Sequence, residues 1–106
     1  MKSRFGLTHE TIEKLKGVFA TNDRIEKVVL YGSRAKGNFR PGSDIDLTLV
    51  GPSLDTSDLL LIENQLEELL LPYKIDLSLW HQIESPDLLD HIARVGQVLF
   101  TTSNEG

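Results

Sequence analysis

Two aspartates separated by one residue, Asp44 and Asp46, open an apolar run that reads SDIDLTLV, and a third, Asp76, lies inside a later alternating run, YKIDLSLW. Residues i and i+2 of a strand face the same side, so Asp44, Asp46 and Thr48 share one face while Ile45, Leu47 and Leu49 share the other. Asp is depleted in strands, and two carboxylates about 6.6 Å apart along one strand repel by roughly 2.5 kcal/mol at an effective dielectric of about 20. A divalent cation held between them removes that repulsion, which makes the pair a candidate Mg²⁺ site. The alternative is a solvated outer face, common in antiparallel sheets. If the third run pairs beside the second, about 4.8 Å away, Asp76 joins the same face. Three converging acids could hold two Mg²⁺ ions about 3.5–4 Å apart, the clamp used in in-line phosphoryl displacement.

Upstream of the pair, the apolar run Val28–Tyr31 ends in Gly32-Ser33. A strand that stops where a short helix can start exposes unpaired N–H groups and a hydroxyl, and glycine lets a phosphate approach the backbone closely. Gly32 and Ser33 are therefore candidate phosphate-binding residues. Arg34, Lys36 and Arg40 follow in the same loop and could neutralise phosphate charge or could be solvated loop cations. A phosphate cradle beside paired acids is nucleotide chemistry.

The ordered pattern G-S-x-A-x-G followed by S-D-x-D-L, here Gly32 through Leu47, resembles the signature of the DNA polymerase beta-like nucleotidyltransferase superfamily. The size of the chain is similar to that of the minimal nucleotidyltransferases (MNT), antitoxins paired with HEPN-domain toxins. The resemblance implies that Asp44 and Asp46 ligate two Mg²⁺ ions together with ATP as nucleotide donor. It implies that Asp76 ligates the ion activating the acceptor hydroxyl and acts as general base. Gly32 and Ser33, assisted by Arg34 and Lys36, would hold the β- and γ-phosphates. The implied reaction is transfer of AMP to a tyrosine of a partner HEPN toxin, silencing its RNase activity. Two alternatives stand beside it: a non-catalytic antitoxin acting by contact, and a nucleotidyltransferase acting on a small molecule or RNA.

The elements that must position these residues follow from periodicity. Thr8 caps a helix carrying Ile12, Leu15, Val18 and Phe19. Strands are expected at Lys27–Tyr31, Asp44–Val50, Tyr73–Trp80 and Gln97–Thr101, with one helical turn at Ser33–Lys36. A helix capped within 55–57 should place Leu59, Ile62, Leu66, Leu69 and Leu70 inward and end at Pro72. Ser85-Pro86-Asp87 starts a last helix, with Leu88, Leu89, Ile92 and Val95 as its buried stripe. The expected fold is α+β, a nucleotidyltransferase fold with a mixed sheet of about four strands and helices packed on one face. One domain should span 1–106, frayed at 1–6 and 102–106.

A net charge of −5 and a pI near 5.1 argue against a surface that tracks long nucleic acid. The chain has no cysteine, which excludes disulfides and thiolate metal sites and suits a reducing cytoplasm. The leucine-rich stretch from Leu59 to Leu71 is too short and too interrupted by polar residues to span a membrane. His9, His81 and His91 show no metal-ligand spacing and read as surface residues, His81 alone lying near the expected site. Tyr31 and Trp80 read as packing residues.

Overall fold

The computed structural model describes residues 3–102. The chain opens with a hairpin, β1 (Ser3–Arg4) paired antiparallel with β2 (Leu7–Thr8), and Thr8 then caps α1 (His9–Phe19) through its side chain on the Thr11 N–H. Next come β3 (Lys27–Tyr31), the single-turn α2 (Ser33–Lys36) and β4 (Ile45–Val50). They are followed by α3 (Thr56–Glu67), β5 (Ile75–Leu79), a 3₁₀ turn at Trp80–Gln82, α4 (Pro86–Val95) and β6 (Gln97–Thr101). The expected α+β class with a four-stranded mixed sheet is what the chain adopts. The strand order is β5-β4-β3-β6, with β4 parallel to β5 and β3 antiparallel to both β4 and β6.

Alternation in the strands decides which face is dry. Val28 and Leu30 of β3, Ile45, Leu47 and Leu49 of β4, and Leu77 and Leu79 of β5 point to one side. There they meet Ile12, Leu15 and Phe19 of α1 and Ile62 and Leu66 of α3 in a single core. Each buried leucine or isoleucine contributes about 1.5–3 kcal/mol, so a one-residue slip of β4 would forfeit several such terms at once. The register is fixed accordingly, with Asp46 level with Asp76, Leu47 with Leu77 and Thr48 with Ser78.

α3 begins with a reciprocal capping box between Asp55 and Asp58. Asp58 is buried and also receives Asn22 and Arg24 from the α1–β3 connection. Its carboxyl is held below the ordinary range, chiefly by its bond from the Asp55 N–H and then by the Arg24 and Asn22 side chains. This joint seats α3 against the sheet.

Four details depart from the expectation. α3 stops at Glu67, because Leu70 takes a left-handed φ of 55° that turns the chain, and Leu70 faces solvent instead of the core. The third strand is shorter at both ends, Trp80 having wound into the 3₁₀ turn. The helices divide: α1 and α3 share the core face, while α4 lies on the opposite one, where Ile92 shares a cavity of about 370 Å³ with Val29, Val50, Trp80 and Val98. Val29 and Val98, level across β3 and β6, are apolar residues on the polar face, and α4 covers that side of it.

Of the segments expected to fray, 1–2 and 103–106 lie outside the described residues. Just inside the first of them Leu7 is fully buried, and Thr102 bonds to the Ile25 and Glu26 carbonyls. A hairpin seated through Leu7 should contribute to global stability, so Leu7→Ala is expected to cost about 2–5 kcal/mol in urea denaturation. A change under about 0.5 kcal/mol would mean that the segment frays.

Candidate active site

The polar face of the sheet is built by the other half of the alternation. Asp46 of β4 is level with Tyr31 of β3 on one side and Asp76 of β5 on the other. Asp44 precedes the first residue of β4 and is exposed, as is Asp76, while Asp46 is half-buried. The electrostatics record the crowding. Burial pushes the Asp46 carboxyl above its usual value of 3.8, the charges of Asp76 and then Asp44 push it further, and His91 opposes them. The Tyr31 phenol is likewise raised, first by burial, with a hydrogen bond from Ser78 opposing and Asp46 and Asp76 adding to the shift.

β3 ends in Gly32, which adopts φ 77° and ψ −156°, a region that only glycine occupies without strain. A Cβ added there would overlap Asp46 Oδ2. The glycine thus brings the turn up against the carboxylate, and Ser33 opens α2 directly beside it. Gly32, Ser33, Asp46 and Asp76 are gathered at one end of the open face.

Arg34 is not gathered with them. Arg34 is only 2% exposed and turns inward. It donates from Nη1 to the Phe5 carbonyl (2.8 Å), from Nε and Nη2 to the Ser43 carbonyl (3.2 and 2.9 Å), and from Nη2 to the Pro41 carbonyl (3.3 Å). The guanidinium also lies over the rings of Phe39 and Tyr73. It is a strut tying the N-terminal hairpin to the loop that delivers Asp44, rather than a phosphate ligand. A buried guanidinium needs acceptors, and loop carbonyls with no ladder partners supply them. Lys36 is exposed at the end of α2, and Arg40 is exposed in the loop, its N–H donating to Ser43 Oγ (2.8 Å).

The histidines also sort differently from the expectation. His81 bonds to the Leu54 carbonyl at 2.9 Å. His91 of α4, expected on the surface, is at the site: its Nε2 accepts from the Gly32 N–H at 3.2 Å and its ring stands edge-on to Tyr31. Nothing in the linear spacing connects positions 32 and 91. The available signal was that α4 must cover Val29, which carries His91 toward the end of β3.

Whether these residues suit a cation can be tested on the charges. Asp46 is held above its ordinary value first by burial and then by the charges of Asp76 and Asp44, and a bound cation would relieve the second part. Among the described residues, no three histidine, aspartate or glutamate side chains already surround a common point. Asp44, Asp46 and Asp76 fit as a shared acidic face whose side chains would close on an ion.

An α+β sheet with acids on its open face beside a Gly-Ser turn defines a domain of the nucleotide-transferring class. A family model described as "Polymerase beta, Nucleotidyltransferase" matches residues 13–105, and the chain belongs to that family. Solved structures share the fold. A toxin–antitoxin with AMP-PNP matches with a TM-score of 0.68 at 24% identity, over 91% of this chain and 75% of that one. The toxin–antitoxin MntA–HepT matches at 0.65 and 20%, over 90% and 74%. A tri-AMPylated Shewanella oneidensis HEPN toxin in complex with MNT antitoxin matches at 0.64 and 19%, over 88% and 71%. No curated protein matches the chain.

Two outcomes follow. Arg34→Met removes the donors to three carbonyls and should destabilise the fold by about 3 kcal/mol or more in denaturant titration; wild-type stability would show the strut to be dispensable. Asp46 has a folded value above its unfolded 3.8, so its ionisation opposes folding: the effect is absent below 3.8 and complete above the raised value. Without divalent cations, Asp46→Asn should therefore melt higher than wild type near pH 7, and the difference should shrink toward pH 4. A pH-independent difference would contradict the carboxylate crowding.

Proposed function

We propose that this chain is a Mg²⁺-dependent nucleotidyltransferase that transfers AMP from ATP to a tyrosine hydroxyl of a HEPN-domain toxin in the cytoplasm. The observation that carries the proposal is the pairing of Asp46 with Asp76 on an open sheet face, beside Gly32-Ser33, in a chain of the polymerase beta nucleotidyltransferase family. Asp46 and Asp76 level on one face, with the charge of Asp44 acting on Asp46, suit catalysis, and a module acting by contact alone has no use for them. The fold shared with a toxin–antitoxin carrying AMP-PNP and with a complex containing a tri-AMPylated HEPN toxin supports the choice of donor and partner.

In this reaction the acceptor oxygen attacks the α-phosphorus, forming the new P–O bond as the bond to the β-phosphate bridging oxygen breaks, and pyrophosphate leaves. Asp44, Asp46 and Asp76 would hold Mg²⁺, which when bound neutralises phosphate charge and makes the acceptor hydroxyl more acidic. Asp76, exposed on the edge strand β5, is open to an acceptor approaching from outside and takes the hydroxyl proton. The N–H groups of Gly32 and Ser33 and the Ser33 hydroxyl bind the β- and γ-phosphates. Lys36, exposed at the end of α2, can add positive charge from solvent, whereas Arg34 contributes by holding the loop before Asp44.

Asp76→Asn keeps shape and removes the base, so transfer should fall by about 100-fold or more while partner binding persists. The measurement is intact mass of a co-purified HEPN partner after incubation with ATP and Mg²⁺, followed by its RNase activity once separated. If wild type adds no adenylyl group and the partner regains full activity on separation, inhibition is by contact and the enzymatic reading is wrong.

A further inference from the structure

The Gly32 N–H, assigned above to the triphosphate, already has a partner. It donates to His91 Nε2 at 3.2 Å, so an imidazole lone pair satisfies that amide. The ring is fixed from a second direction by Tyr31, edge-on with centroids 6.1 Å apart and planes at 80°. Thus one side chain from α4 touches the turn and borders the residue level with Asp46. A phosphate oxygen and an imidazole lone pair are both acceptors, and one N–H cannot serve both.

We propose that His91 is a placeholder on the phosphate cradle: it caps the Gly32 N–H in the nucleotide-free protein, is displaced by the triphosphate, and so sets the affinity of the site. This rests on reading Gly32 and Ser33 as the cradle. Displacement follows from the competing bonds, since an anionic oxygen makes a charge-assisted hydrogen bond roughly twice as strong as a neutral one. It also follows from the anchoring of the helix. Among the described residues α1 and α3 bury three side chains each, and α4 buries Ile92 alone, outside the main core. A lightly seated helix can give way where a core helix cannot. While in place, the cap keeps an otherwise exposed donor satisfied and holds the turn in its glycine-only conformation beside Asp46.

The test is calorimetric titration of Mg²⁺ with AMP-PNP into wild type, His91→Ala and His91→Phe. The phenyl ring keeps the contact with Tyr31 but cannot accept a hydrogen bond, so it separates the bond from the bulk and provides a packed variant should alanine unfold. Loss of one competing hydrogen bond should tighten binding in both variants by about three- to tenfold. In wild type the Gly32 amide resonance should shift when nucleotide is added. Unchanged affinity overturns the placeholder, and weaker affinity does so by making His91 a ligand. Tightening with alanine but not phenylalanine also overturns it, since bulk alone would then be relieved. If no form binds nucleotide, the cradle reading fails and the cap with it; if wild type binds and the variants do so equally, only the role of His91 fails.

Discussion

Asp46 and Asp76 lie level on neighbouring parallel strands, an arrangement that electrostatics opposes and that the rest of the chain has to enforce. The enforcement comes from the reverse side of the same two strands. Leu47 and Leu49 of β4 and Leu77 and Leu79 of β5 are buried against α1 and α3, and the period-2 geometry of a strand ties each inward leucine to an outward neighbour. A slip that separated the acids would turn the leucines to water and the acids into the core. A repulsion of a few kcal/mol at most is outweighed by several buried side chains at about 1.5–3 kcal/mol each. Packing on the reverse side is therefore enough to hold the acidic face together.

Asp44 needs a different device, because it precedes β4 and has no ladder to hold it. Arg34 supplies one by drawing the carbonyls of Pro41 and Ser43 inward and pairing the same guanidinium with Phe5 of the hairpin. The geometry explains why arginine suits this position. A planar fork reaches acceptors in several directions at once, whereas a lysine ammonium would serve fewer of them and would not lie flat over Phe39 and Tyr73. The hairpin formed by β1 and β2 is thereby connected to the acidic face, although it lies in neither sheet strand that carries the carboxylates.

Much of this could be read from the residues in order. The alternation in IDLTLV and IDLSL specifies both the dry face and the acidic one, and Ser85-Pro86-Asp87 marks the start of α4, because these signals are local. Arg34 and His91 were not legible for the opposite reason. A cation in a loop beside a phosphate-type turn has the same appearance in sequence whether it faces ligand or interior, and only the positions of Phe5, Pro41 and Ser43 decide the matter. His91 meets Gly32 from a helix 59 residues further along the chain, so no spacing encodes the contact. Leu70 shows a related limit: helical periodicity continues through it, but a single left-handed residue ends the helix before the pattern ends.

The turn at Gly32 joins the two halves of the site through sterics. Its glycine is needed for phosphate approach in the proposed reaction, but the structure gives a reason that holds without any ligand. The left-handed φ and the missing Cβ let the backbone pass against the Asp46 carboxylate. Any larger residue would push β4 and the turn apart, so the donor groups at 32–33 and the acid at 46 are set at fixed separation by the absence of a side chain. That separation cannot be tuned by substitution at the turn. What α4 adds is a bond: His91 accepts from the Gly32 N–H without altering that separation. The polar face is thus set by the sheet and its glycine, with the helix laid over it touching the turn through His91.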